Sequence, residues 1–82
     1  MIEVLYFAWL RERIGVNREK IETQAKTVAE LIEQLVAMDD GHALAFADRK
    51  SLRVALDQQM ASFDAPLAGV REVAFFPPMT GG

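Results

Sequence analysis

Two glycines, Gly81 and Gly82, follow the stiff apolar run Val73-Ala74-Phe75-Phe76-Pro77-Pro78 at the end of the sequence. The chemistry such an end can do does not come from side chains. Glycine has no Cβ, so a tail ending in it threads a slot too narrow for other residues and presents a bare main-chain carboxylate. Pro77 and Pro78 can neither join a helix nor donate to a sheet, which holds the tail extended. From Pro77 to Gly82, at about 3.3 Å per residue, the carboxylate stands roughly 20 Å from the last strand. A carboxylate is a poor electrophile. Conversion to an acyl adenylate with ATP makes its carbonyl attackable, and a sulfur nucleophile can then displace AMP and leave a thiocarboxylate, itself a good nucleophile. A sulfur carrier without cysteine would need this route.

The other candidates for chemistry are weaker. His42 is the single histidine, and no Asp, Glu or Ser stands at a spacing that makes it a triad member, so it reads as a surface or loop residue. Asp39-Asp40 reads as a solvated carboxylate pair at a helix end, where it opposes the helix dipole. No glycine-rich phosphate loop, HExxH or paired-carboxylate pattern occurs. The absence of cysteine excludes disulfides, cysteine-ligated zinc and a thiol nucleophile, and it favours a cytoplasmic setting. By its own side chains the domain is expected neither to be an enzyme nor to hold a metal or a stably bound cofactor.

Elements that would carry the tail follow from periodicity. Ile2, Val4 and Tyr6 alternate with Glu3, Leu5 and Phe7 in a first strand whose faces both become apolar. Trp9 to Ile14 forms a short helix stopped by Gly15. Glu19 to Thr23 suits an edge strand protected by charge. The strongest helix runs from Thr27 to about Asp39: Thr27-Val28-Ala29-Glu30 is a capping box, and Val28, Leu31, Ile32, Leu35 and Val36 form one stripe. Gly41 would close it. Residues 42–47 form at most a helical turn. Leu52, Val54 and Leu56 alternate in a strand, Asp57-Gln58-Gln59 turns, and Met60-Ala61 returns. Asp64 to Leu67 and Gly69 are turns, and Glu72 to Phe76 is the last strand.

This order predicts one α+β domain over residues 1–76, a mixed sheet of about five strands with one long helix on one face, and an extended tail over residues 77–82. The first and last strands, the most apolar, belong side by side and parallel in the sheet centre. If Val4, Tyr6, Val73 and Phe75 face the helix, then Leu5, Phe7, Ala74 and Phe76 face away from it. A patch of Phe7 and Phe76, with Met60, marks a protein interface. The net charge of −3 and the lack of any long Lys/Arg run argue against nucleic acid. The apolar start, Val4 to Leu10, is too short to span a bilayer and has no basic segment before it, so neither membrane nor signal peptide is expected.

The chain resembles the small subunit of molybdopterin synthase, the MoaD family of ubiquitin-like sulfur carriers, over essentially its whole length. The likeness rests on Val4-Leu5-Tyr6-Phe7-Ala8 with Arg11-Glu12, on Thr27-Val28, on Ser62-Phe63-Asp64-Ala65-Pro66-Leu67, and above all on Glu72-Val73-Ala74-Phe75-Phe76-Pro77-Pro78-Met79-Thr80-Gly81-Gly82. The resemblance implies a ubiquitin-like β-grasp fold. It also implies that an adenylating enzyme of the MoeB type uses ATP to activate Gly82, that a sulfur donor protein supplies the sulfur of a thiocarboxylate, and that the tail enters the large subunit, of the MoaE type. There, two sulfur transfers convert cyclic pyranopterin monophosphate into the dithiolene of molybdopterin, for molybdenum cofactor biosynthesis, in a heterotetramer. Carried over residue by residue, Gly82 is the reacting position, and the partner contacts fall on Phe7, Met60, Phe76, Pro77, Pro78, Met79, Thr80 and Gly81. Alternatives are a sulfur carrier for thiamine synthesis or tRNA thiolation, and a ubiquitin-like protein modifier. The chain departs from the family pattern at Gly69-Val70-Arg71-Glu72-Val73, where relatives often read Gly-Asp-Glu-Val, and at Asp57, where many have Asn.

Overall fold

The structure, a computed structural model, describes residues 1–78. In chain order it contains β1 (Ile2–Tyr6), α1 (Trp9–Ile14), β2 (Arg18–Ile21), α2 (Val28–Val36), α3 (Asp40–Ala45), a 3-10 turn (Arg49–Ser51), β3 (Arg53–Leu56), β4 (Gln59–Ala61) and β5 (Glu72–Phe76). The sheet order is β2-β1-β5-β3-β4. Only β1 and β5 are parallel, with Val4 opposite Val73 and Tyr6 opposite Phe75. The two most apolar strands therefore occupy interior positions, as expected, and the mixed sheet with its helical layer is a ubiquitin-like β-grasp.

Strand parity decides what the sheet buries. Ile2, Val4, Tyr6, Val54, Val73 and Phe75 all point to the helical face and are buried against Leu10, Leu31, Ile32, Leu35 and Phe46. Tyr6, Phe46 and Phe75 form the centre: Phe46 meets Phe75 edge-on at 4.9 Å between centroids, and Tyr6 stacks on Phe75 at 6.5 Å. Such aromatic contacts add about 1 kcal/mol each beyond burial.

Helix α2 starts as its capping pattern requires, with Thr27 Oγ1 accepting the Glu30 N–H at 3.2 Å. The Glu30 carboxylate reaches one residue further back than a standard box, accepting from the Lys26 N–H. The helix stops at Val36 with Ala37 as its cap, not near Asp39. Gly41 does not close it. Asp39 instead opens α3, accepting the His42 N–H at 2.9 Å, and Gly41 lies inside that helix. A Cβ on Gly41 would stand 2.8 Å from the Arg13 carbonyl oxygen, so the glycine is there to let α3 approach α1. The helical layer thus holds three helices rather than one long one. Gly15 ends α1 in the left-handed conformation, as read from the sequence.

The β3–β4 turn has Asp57 at φ 49° and Gln58 at φ 71°, which is the pair of positive φ values of a tight right-twisting hairpin. Asp57 is one of the departures from the family pattern, and its side chain has a structural task. Its Oδ1 accepts the N–H groups of Arg71 and Glu72 at 3.1 and 3.0 Å, tying the hairpin to the start of β5.

Candidate functional site

The helices leave the opposite face of the sheet uncovered, and alternation fills its tail-side end with apolar groups. Phe7 extends the parallel ladder one residue past Tyr6, donating its N–H to the Phe75 carbonyl at 3.1 Å. Phe7 therefore lies beside Phe76, on the face that Leu5 and Ala74 share. The chain then turns sharply at Ala8, at φ 56° and ψ −134°, with Leu10 N–H returning to the Phe7 carbonyl. This conformation favours glycine, and it ends β1 at Phe7 and sends the next residues to the helical side.

Phe7, Ala74, Phe76 and Pro77 line an open apolar depression of about 430 Å³. Phe7 remains 45% exposed, which is unusual for a phenylalanine beside a well-packed core. Pro77 and Pro78 continue from Phe76, each half-buried and outside any regular element. Met60 shares this face and is 65% exposed, but it stands on edge strand β4. The cross-sheet row Leu5, Ala74, Ala55, Met60 connects them. Two strand spacings, about 10 Å, separate Met60 from Ala74, and the intervening side chains are only alanines. The result is a shallow trough with Phe7 and Phe76 at one end and Met60 at the far edge. Of the expected site residues, Phe7, Phe76, Pro77 and Met60 share one face and Pro78 follows directly. Met79, Thr80, Gly81 and Gly82 lie outside the described residues.

A second cluster was not anticipated, and it corrects the reading of His42. This residue is 3% exposed, not on the surface. Its Nε2 lies 2.6 Å from Glu19 Oε2 and its Nδ1 lies 2.8 Å from Asp39 Oδ1. With both carboxylates ionised, each ring nitrogen is matched by an N–H donor, which favours the imidazolium, a form with no lone pair for a metal. Burial alone pulls the His42 pKa down, but the hydrogen bonds and charges of Glu19 and Asp39 outweigh it and raise the pKa above the ordinary 6.5. Asp39 is held below its ordinary 3.8 chiefly by hydrogen bonds from His42. Tyr6 donates to the same Glu19 oxygen at 2.6 Å, and burial with that bond drives its pKa far above 10. Asp39 and Asp40 are both exposed, as expected, but they stand at the start of α3 and not at the end of the long helix, so they complement a helix dipole where opposition was expected. Asp39 is the cap of α3 and one arm of a charged bridge. Glu19 pairs with Val4 across the β1–β2 ladder and so points inward. That orientation is readable from the sequence, because Glu19 has the same parity as buried Ile21.

Neither cluster has the layout of an active site. The trough has shape and apolarity but no acid, base or nucleophile, and in the His42 bridge the ring itself is buried with both its nitrogens occupied by carboxylates. What the open face can do is dock, and what its last strand leads into is the tail. Among the described residues no helix is long and apolar enough to cross a membrane.

Comparison with known proteins agrees in extent and in fold. The molybdopterin synthase sulfur carrier subunit of Escherichia coli (strain K12) is 45% identical over 82 residues, covering 100% of both chains. The protein of the same name from Haemophilus influenzae is 38% identical over the same span, again covering 100% of both. Among solved structures, SAMP1 from Haloferax volcanii superposes with a TM-score of 0.75 at 25% identity, covering 99% of this chain and 98% of that one. A Pyrococcus furiosus protein described as molybdopterin converting factor, subunit 1, gives a TM-score of 0.70 at 26% identity over 95% of this chain and 97% of that one. Residues 4–82 match the ThiS family, a span that runs from within β1 to the glycine end, and the chain belongs to that family.

Proposed function

We propose that this protein is the sulfur-carrier subunit of a molybdopterin synthase, acting in the cytoplasm through the carboxylate of Gly82. The observation that carries this reading is the end-to-end relatedness, at 45% identity, to a protein of that name. The open trough supports it: a carrier must be gripped by other proteins while its tip is worked on, and an uncovered apolar face beside the tail's origin suits that grip.

The chemistry divides between this chain and its partners. The Gly82 carboxylate attacks the α-phosphorus of ATP in an adenylating enzyme of the MoeB type, and pyrophosphate leaves. A persulfide sulfur of a donor protein then attacks the acyl carbonyl and expels AMP to give an acyl disulfide, and a thiol of the donor or activating protein cleaves its S–S bond, forming a protein disulfide and releasing the thiocarboxylate. In the large subunit, of the MoaE type, that sulfur attacks cyclic pyranopterin monophosphate. The chain's own part is positional. It holds no ATP of its own, and Phe7, Phe76 and Met60 fix the body while residues 77–82 deliver the sulfur.

Incubation with ATP, the adenylating enzyme and a sulfur donor is expected to raise the intact mass by one oxygen-to-sulfur exchange, localised to Gly82. Persistence of the carboxylate form with a competent activating enzyme removes the carrier chemistry. Lack of binding to the large subunit redirects the carrier to thiamine or tRNA thiolation, and adducts on lysines that survive denaturant and reductant indicate a modifier. Phe76→Ala is expected to weaken assembly with the large subunit by about 2 kcal/mol, the size of an interface hot spot, as titration calorimetry would read it. Wild-type affinity in that variant removes the trough from the interface.

A further inference from the structure

We propose that Arg53 is a specificity determinant of the docking face, accepting a carboxylate side chain from the large subunit beside the pocket that takes Phe76; this rests on the carrier reading above. Arg53 is paired with Phe76 across the β3–β5 ladder and so stands on the open face, in the same row as Phe7. It is exposed. Its Nη1 donates to the Leu52 carbonyl at 2.9 Å and grazes that of Lys50 at 3.5 Å, which folds the guanidinium over the end of the 3-10 turn. No carboxylate among the described residues lies within ion-pair distance of it, whereas Arg18 and Arg49 have Glu3 and Glu33.

The distribution of charge along the face gives this cation its meaning. Strand register places Glu3 and Glu72 together in the row furthest from the tail, with Lys20 beside Glu3. Four residues of β5, about 13 Å, separate Glu72 from Phe76. The row next to the tail is therefore Phe7, Phe76 and Arg53, a cation among aromatic groups on a chain whose net charge is −3.

A partner covering Phe76 must also cover Arg53. Desolvating a guanidinium without a counter-charge is costly, and a planar fork already oriented by its carbonyl contacts suits a two-point contact with a carboxylate. The contact that suits it is an Asp or Glu of the large subunit at that point. A large subunit with an apolar or basic residue at that point is discriminated against by the unpaired charge. Register and cognate choice, more than raw affinity, are what such a contact supplies.

The test uses the full chain and its cognate large subunit, with binding measured by surface plasmon resonance or calorimetry over a range of salt concentrations. Arg53→Ala is expected to weaken binding by about tenfold and to flatten its salt dependence, Arg53→Glu to weaken it further through a slower association rate, and Arg53→Lys to recover part of the loss. Thermal melts of each variant should match the wild type, since the side chain is exposed. Wild-type affinity and salt dependence in both Arg53→Ala and Arg53→Glu overturn the proposal while leaving the carrier reading intact. A defect confined to adenylation, with large-subunit binding unchanged, overturns it also. Failure of the wild-type chain itself to bind the large subunit overturns both.

Discussion

A variant with one glycine appended after Gly82, and a variant lacking Gly82, are both expected to lose sulfur transfer by at least about a hundredfold, while melting at the wild-type temperature. Removing one residue retracts the carboxylate by about 3.3 Å, and adding one displaces it by as much. Misplacement by about 1 Å is enough to cost about 100-fold in a positioned reaction, because the reacting atoms leave the near-attack geometry. An appended glycine is the stricter choice, since it adds length without adding a side chain that could block the slot by width. Stability should not change, because the core runs from Ile2 to Phe75 and closes within residues 1–78. Two assays locate the fault. Intact mass after treatment with ATP, activating enzyme and sulfur donor reports loading, and product formation by the reconstituted synthase reports delivery. Full transfer by either variant would show that the position of the terminal carbonyl is immaterial, and the carrier assignment could not survive that.

The parts of this architecture that obey a local rule were legible in the sequence. Period-two alternation in residues 2–7 and 72–76 settled which side chains face the helices, and the same parity put Phe7 and Phe76 on the uncovered face. The Thr27-Glu30 spacing located the start of α2 to the residue. The end of that helix was harder, because Val36 continues the apolar stripe and a glycine follows five residues later, which imitates a C-terminal cap. The competing signal was Asp39, three residues before His42, which is N-cap spacing for a new helix.

His42 was missed for a different reason. One partner, Asp39, lies close in sequence, but Glu19 lies 23 residues away and reaches the ring only because β2 pairs with β1 in one register. Charge on an edge strand is ordinarily a defence against mispairing, and Arg18 and Lys20 fit that role. Glu19 does not, and only its parity with Ile21 separates it from them. Met60 shows a milder form of the same limit. It was grouped with Phe7 and Phe76, yet its distance from Phe7 depends on strand order, which is not a local property.

Replacing His42 with alanine is expected to destabilise the fold by about 3 kcal/mol at pH 6, and by less at pH 9. The imidazolium ring is almost wholly buried, and its loss leaves the inward-pointing Glu19 carboxylate against Tyr6 without its cation. Breaking such a bridge from one side typically costs about 3–5 kcal/mol, and the partial exposure of Glu19 and the greater exposure of Asp39 place the effect at the lower end. The pH dependence has a definite sign. The folded-state pKa of His42 is raised above 6.5, so the folded protein holds its proton more tightly than the unfolded chain does. That contribution is complete below about pH 6.5 and is lost as pH rises through the folded-state value. Asp39 contributes with the opposite slope: its pKa is depressed, so its contribution is present above its ordinary 3.8 and is lost as pH falls through the lowered one. Stability from this bridge is therefore greatest between those limits. Urea denaturation at pH 6, 7, 8 and 9 should show the wild-type midpoint falling with pH while His42→Gln, which cannot titrate, falls less. Parallel curves for the two proteins would mean that the folded-state pKa of His42 is not raised above that of the unfolded chain, and a wild-type midpoint that rises with pH relative to His42→Gln would mean that the ring is neutral in the fold. Tyr6 donates to Glu19 and stacks on Phe75, so loosening this bridge is expected to reach the strand ends that set Phe7 beside Phe76. The alanine variant should accordingly bind the large subunit more weakly at temperatures well below its own melting point.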